Sequence, residues 1–255
     1  MRFIPCKTSP SRKHVAAEYR EMRYARTMSS SQLDELEIEV SSRATLGGMT
    51  KVEFAYEQIR HWILSGKLAP KTELDQGVLA KTLGVSTTPM REALSRLQAE
   101  ELLSIRAHHR VIVAALSKRE LEEIYVVRFE LDPLATKLAA NRISDEEIDQ
   151  LGLMIEQRPG DASGRIALNR KFHSAIYRAS GNIVLVRILD SLHDRATRYR
   201  LILMGSEQDT AVAYLEHMEI VNALRRRNAD ELSHLTRAHL EASKASIETG
   251  LAQST

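Results

Sequence analysis

The sequence predicts a mainly α-helical protein: three short helices closed by a small β-hairpin, and behind them an all-α bundle of six or seven helices. Apolar residues recur at helical spacing almost without interruption from Thr50 onward, and the one change of period lies between Leu102 and Val113. Aromatic residues make up only 5% of the chain while Ala, Leu, Ile, Glu and Arg abound, which favours helices over sheets.

With 255 residues, the chain can build one large domain or two modest ones. Its net charge of +2 does not by itself mark a nucleic-acid binder, so any basic surface must be local. The single cysteine, Cys6, excludes an intramolecular disulfide framework and fits a reducing, cytoplasmic setting. No stretch approaches the roughly 20 apolar residues of a spanning helix, and the N-terminus lacks the apolar core of a signal peptide, which argues against membrane and secretory readings.

Residues 1–49 are Ser-Arg-rich without a sustained period and are expected to form a flexible tail. Met28 and Met49 stand within it as alternative starts, and Leu33, Leu36 and Val40 fall at the spacing of one short helix. Residues 50–116 are the first expected domain. Val52, Ala55, Ile59, Ile63 and Leu64 mark a helix that stops near Ser65-Gly66. Leu74 follows, then a short helix with Leu79, Ala80 and Leu83 that Gly84 closes. Ser86 caps a third helix with Pro89 in its first turn and Met90, Ala93, Leu94 and Leu97 facing inward. Leu102, Leu103 and Ile105, then Val111 to Val113, read as two strands joined by the polar turn Arg106 to Arg110. Three helices and a hairpin in this order make a winged helix-turn-helix. Residues 117–249 form the helical second domain, with runs at 117–140, 144–156, 161–179, 182–205, 207–227 and 229–249; residues 250–255 are a tail.

The run from Leu79 to Leu97 reads LAKTLGVSTTPMREALSRL: a buried Ala, a turn Gly, a buried Val and a polar helix start. It resembles the GntR family, whose consensus contains LA-x-x-LGVSRTPVREAL-x-RL followed by a β-wing. That resemblance implies a regulator that binds a double-stranded DNA operator through its recognition helix. Ser86, Thr87, Thr88, Arg91 and Arg96 would contact DNA, and the wing, His108, His109 and Arg110, would approach the minor groove. Taken singly, either arginine is as well explained as a solvated helix residue. The chain departs from the pattern at Thr87 (usually Arg), Glu101 (usually Gly before the wing) and Arg110 (usually Gly).

In the second domain Asn169 and His173 lie four residues apart and project from one helical face. His217 and His239 each lie eleven residues from Asn228, so an antiparallel pair of helices turning there brings them level. Imidazoles with one oxygen ligand suit zinc, nickel or a similar divalent cation. The pattern is similar to the FadR-like subgroup with an FCD ligand-binding domain, where an Asp-x-x-x-His pair and two later histidines hold a metal that binds an organic acid. Here Asn169 stands where Asp is usual, a neutral and poorer ligand. His193 and His234 have no matched partner in this scheme and are expected to be structural or exposed.

Arg128, in a run similar to the family's R-x-x-L-E element, has an effector carboxylate or an acidic neighbour as its expected partner. Arg195 and Tyr199, on one face of a later helix, are further candidates for effector contact. The resemblance thus implies a homodimeric regulator, more often a repressor than an activator, on a near-palindromic operator. It would be shifted off that operator, or less often onto it, by a small organic acid or related metabolite, a carboxylate-bearing effector being expected. Two other classes fit the same residues. One is a metal-dependent hydrolase using the three histidines, against which no segment carries H-E-x-x-H. The other is a DNA-bound dimerisation scaffold without effector.

Overall fold

The computed structural model describes residues 48–106, 110–157, 159, 162–200 and 207–253. The expected tail through residue 47, with its short helix, and His108 and His109 lie outside the described residues.

Helix α1 (Lys51–Leu64) begins at Thr50 with a reciprocal cap: the Glu53 amide donates to Thr50 Oγ1 (3.2 Å) and the Thr50 amide to Glu53 Oε2 (2.9 Å). It buries Phe54, Ala55, Ile59, Trp62 and Ile63. Val52 and Leu64, expected on this face, are only half-buried, while Phe54 and Trp62, outside the expected set, are buried. Strand β1 (Glu73–Leu74) leads into α2 (Gln76–Thr82), capped by Asp75 through the Val78 amide (2.8 Å). Gly84, at φ +63, ends this helix: its amide donates to Lys81 O and that of Val85 to Ala80 O. Helix α3 (Thr87–Ala99) buries Met90, Ala93, Leu94 and Leu97, as its spacing predicts.

Strands β2 (Leu103–Arg106) and β3 (Arg110–Val113) pair antiparallel, Leu103 opposite Val113 and Ile105 opposite Val111. The sheet has three strands in the order β1-β3-β2, one more than the expected hairpin. Two residues are too few to display the alternation that marks a strand, so Leu74 reads as loop until it pairs with Val111. One core, with Trp62, Leu79, Leu94 and Val111 among its members, joins helices and sheet.

Six helices follow among the described residues: α4 (Lys118–Ala139), α5 (Asp145–Glu156), α6 (Ala162–Ala179), α7 (Ile183–Arg200), α8 (Glu207–Arg225) and α9 (Ala229–Gln253). Their starts fall within one residue of expectation. Helix α9 continues through residues 250–253, where a tail was expected. Helix α8 turns into α9 through Arg227 at φ 56, its amide donating to Leu224 O and that of Asn228 to Ala223 O. A left-handed arginine costs roughly 1–2 kcal/mol relative to the ordinary helical region. Its guanidinium offsets that by bonding the carbonyls of Ala140 and Ile143 and the carboxylate of Asp145, which ties the α8–α9 turn to the end of α4. Among the described residues no helix is long and apolar enough to cross a membrane.

Candidate functional site

At the start of α3 the backbone of Ser86 has N-cap geometry, yet its side chain makes no capping hydrogen bond. The third helical residue is Pro89, which has no amide hydrogen to offer it. The first-turn amides of Thr87 and Thr88 have no earlier carbonyl of the helix to reach, so this exposed end is a concentration of donors at the positive end of the helix dipole. Ser86, Thr87, Thr88, Arg91 and Arg96 are all exposed. Arg96 is held by Glu92 at 2.8 Å, a surface pair worth at most about 1 kcal/mol. Arg110 lies 3.4 Å from Glu73 across the β1–β3 pair.

The departure at Glu101 has a visible consequence. Helix α3 ends with Leu102 N donating to Leu97 O and Glu101 N to Gln98 O, a closure that puts residue 101 in the left-handed region, at φ 59. Glycine is the unstrained residue there. The glutamate instead reaches across to Arg195 of α7 at 2.6 Å.

Four histidines meet inside the helical bundle, one each from α6, α7, α8 and α9: His173, His193, His217 and His239, all buried. Ligand nitrogens of His173, His217 and His239 lie within 4.8 Å of one another. Ring centroids are 5.1 Å apart for His173–His217, 5.3 Å for His173–His239 and 4.8 Å for His217–His239. The Nε2 atom of each of these three has no partner among the described residues. Burial holds all four imidazoles below their ordinary pKa, with further lowering from neighbouring histidines, Arg200 or Arg128, and His239 falls to about 3. They are therefore neutral near pH 7 and carry lone pairs for a cation. Glu216, pushed up to about 6 by burial, lies 2.6 Å from His239 Nδ1 and fixes that ring with Nε2 inward. This donor set fits a zinc- or nickel-type ion.

Asn169 projects from α6 one turn before His173, but its Oδ1 accepts a 2.6 Å hydrogen bond from Arg200, so its oxygen is engaged by a cation. His193, expected to stand apart, packs against His173 at 5.0 Å, and neither ring nitrogen has a partner among the described residues. Sequence spacing gave no sign of this, because the contact is made by the crossing of α6 and α7 rather than by equal distances from a turn. His234 is exposed.

Arg128 is fully buried in α4 and paired with Asp132 (3.0 and 3.3 Å), which also accepts the Tyr177 hydroxyl at 2.5 Å. Arg195 and Tyr199 are not brought to the histidines. Arg195 bonds Glu101 and Glu120, and the Tyr199 hydroxyl donates to Glu120 (2.6 Å) and accepts from the Ser117 amide (3.1 Å). Both belong to the junction with the winged helix. There Asp194, the residue after His193, accepts Arg60 of α1 and two bonds from Arg170 of α6 (2.5 and 3.2 Å), while Arg198 bonds the carbonyl of Ala114. Helix α7 thus presents His193 to the histidine cluster and its neighbours to the winged helix.

Residues 51–113 match the family model of bacterial regulatory proteins of the gntR family, and residues 123–242 match the FCD domain. The Nta operon transcriptional regulator of Aminobacter aminovorans is 31% identical over 179 residues, 68% of this chain and 82% of that protein. The HTH-type transcriptional repressor GlaR of Escherichia coli is 29% identical over 198 residues, covering 72% and 90%. Among solved structures, Escherichia coli McbR/YncC superposes with a TM-score of 0.72 at 25% identity, over 81% of this chain and all of that one.

Proposed function

Because the chain belongs to the GntR family of bacterial regulatory proteins, with an FCD domain behind its winged helix, we propose that it is a cytoplasmic, homodimeric repressor whose hold on its operator is set by a small carboxylate bound at a divalent metal in the histidine chamber. That it is a DNA-binding transcriptional regulator and not an enzyme follows from the family. The sensing mode rests above all on two features of His173, His217 and His239: ring nitrogens within 4.8 Å of one another and Nε2 atoms without a partner among the described residues.

These three would hold the metal, with Asn169 near it but tied to Arg200. The metal would supply positive charge and open positions for an effector carboxylate. Arg128 is the further effector contact, through its one unpaired amine, Nη1. Arg195 and Tyr199 act in transmission: with Asp194 they hold α7 against α1, α3 and the start of α4, so a shift of α7 on effector binding moves the winged helix.

On the DNA side, Ser86, Thr87 and Thr88 would receive a phosphate at the start of α3 and Arg91 and Arg96 would reach phosphate or a guanine edge, with His108, His109 and Arg110 in the wing. The dimer is supported by exposed apolar side chains on two helices packed together, Val127 and Leu134 of α4 with Val184 and Ile188 of α7.

The test is selection of operator sequences from a random duplex library, followed by affinity measurements with and without bound metal. Arg91→Ala should weaken selected-site binding at least ten-fold and leave folding intact. Equal affinity of wild type and variant at physiological salt would overturn the placement of the recognition helix. A wild-type protein that takes up no metal would favour the effector-free scaffold.

A further inference from the structure

Beside the three-histidine cluster, two buried polar groups stand without a partner among the described residues. One is His193, 1% exposed, with both ring nitrogens unpaired among the described residues. The other is Nη1 of Arg128, a side chain without exposure whose remaining nitrogens are occupied by Asp132. Burying such groups unpaired costs stability, and a ligand that satisfies them offsets that cost. They flank one residue. Tyr177 bonds Asp132, the partner of Arg128, and its ring lies 6.5 Å from that of His193 and 6.2 Å from that of His173. Tyr177 therefore joins the Arg128–Asp132 pair to both His193 and His173, and the His193 ring lies against that of His173 at 5.0 Å.

We propose that His193 is an effector-recognising residue: with Nη1 of Arg128 it forms a second anchoring point beside the three-histidine cluster, so that the chamber selects a small dicarboxylate over a monocarboxylate. One carboxylate takes the open positions of the cluster and the other accepts from the His193 ring N–H and the Arg128 guanidinium. This rests on the metal-centre reading above and adds to it the spacing of two anionic ends. The pair Arg128–Asp132 is neutral as a unit, so the second carboxylate brings its charge to a site that holds no spare anion of its own.

The experiment uses the full-length protein, with metal content measured first. Zinc-loaded wild type and His193→Leu are titrated calorimetrically with malonate, succinate and malate, and with the matched monocarboxylates propionate, butyrate and lactate. Wild type should bind at least one dicarboxylate ten-fold or more tightly than its match. His193→Leu should bring that ratio to within two-fold, with unchanged zinc stoichiometry.

In the metal-free protein the same substitution should raise the melting temperature by about 2–4 °C, because an apolar side chain of similar size replaces two unpaired nitrogens. A structural histidine would lower it. Absence of a dicarboxylate preference in wild type, its persistence in His193→Leu, or a lowered melting point would each overturn the proposal. Failure of wild type to take up zinc would instead overturn the metal-centre reading.

Discussion

Removing the carboxylate of Asp194 should uncouple the two halves of the molecule. Its side chain is 6% exposed and stands between two guanidinium groups, Arg60 of α1 at 18% and Arg170 of α6 at 22%. In Asp194→Ala these cations face each other without their shared counter-charge. Breaking a buried ion pair by deleting one partner costs about 3–5 kcal/mol. The lower end applies here, because Arg170 keeps Asp190 at 2.7 Å and Arg60 keeps Glu100 at 3.8 Å. About 3 kcal/mol corresponds to a fall in melting temperature of about 6–12 °C for a chain of this size. Arg60→Ala added to Asp194→Ala should restore part of the loss, since it removes one of the opposed cations, giving a coupling of at least about 1 kcal/mol. Differential scanning calorimetry of both single variants and the double variant measures it. Additivity within about 0.5 kcal/mol would refute the idea that Asp194 joins the winged helix to the sensing bundle.

Two further outcomes are expected. The metal-free protein should lose stability on acidification: the folded-state pKa of His239 is about 3 against an ordinary 6.5, so between these values the unfolded chain binds the extra proton. Stability is full above pH 6.5 and falls as pH drops toward 3. His239 alone contributes a loss of about 1.4 kcal/mol between pH 7.5 and 5.5. Burial of His173, His193 and His217 pushes the same way. Glu216, raised to about 6, opposes it by less than about 1 kcal/mol, because the folded state takes up its proton first. Urea unfolding at the two pH values should show a total above the His239 figure. A total loss below about 1 kcal/mol would count against neutral imidazoles in the chamber. Second, Leu134→Glu with Ile188→Glu should turn a dimer in sedimentation velocity into a monomer without lowering helix content. A persisting dimer would place the interface elsewhere.

What the sequence disclosed was what repeats along one element. Met90, Ala93, Leu94 and Leu97 mark the inward face of α3 because burial of a helix is periodic, and their spacing needs no knowledge of a partner. His217 and His239 were legible for a related reason, since equal distances from one turn level two antiparallel helices. The limits have equally physical causes. Strand β1 exists only through its pairing with β3, and two residues carry no period. Arg195 and Tyr199 share a helical face, which suggested a pocket. That face meets the winged helix, because α1 packs on α7, a tertiary contact with no local signature. His193 stayed hidden for the same reason, while Glu101 was seen as a departure but not as a left-handed residue bridging to Arg195.

The unsatisfied start of α3 has a thermodynamic consequence. A helix whose proline removes the capping donor frays more readily, and a missing cap is worth about 1 kcal/mol. On the reading proposed above, a phosphate of the operator would complete the first turn, so DNA would act as the cap that the chain lacks. Ordering and recognition then become one event: the amides of Thr87 and Thr88 would exchange with solvent rapidly in the free protein and slow sharply on a bound duplex. Some of the free energy of DNA binding would be used to order the helix, making the head easier to release than its contacts alone suggest.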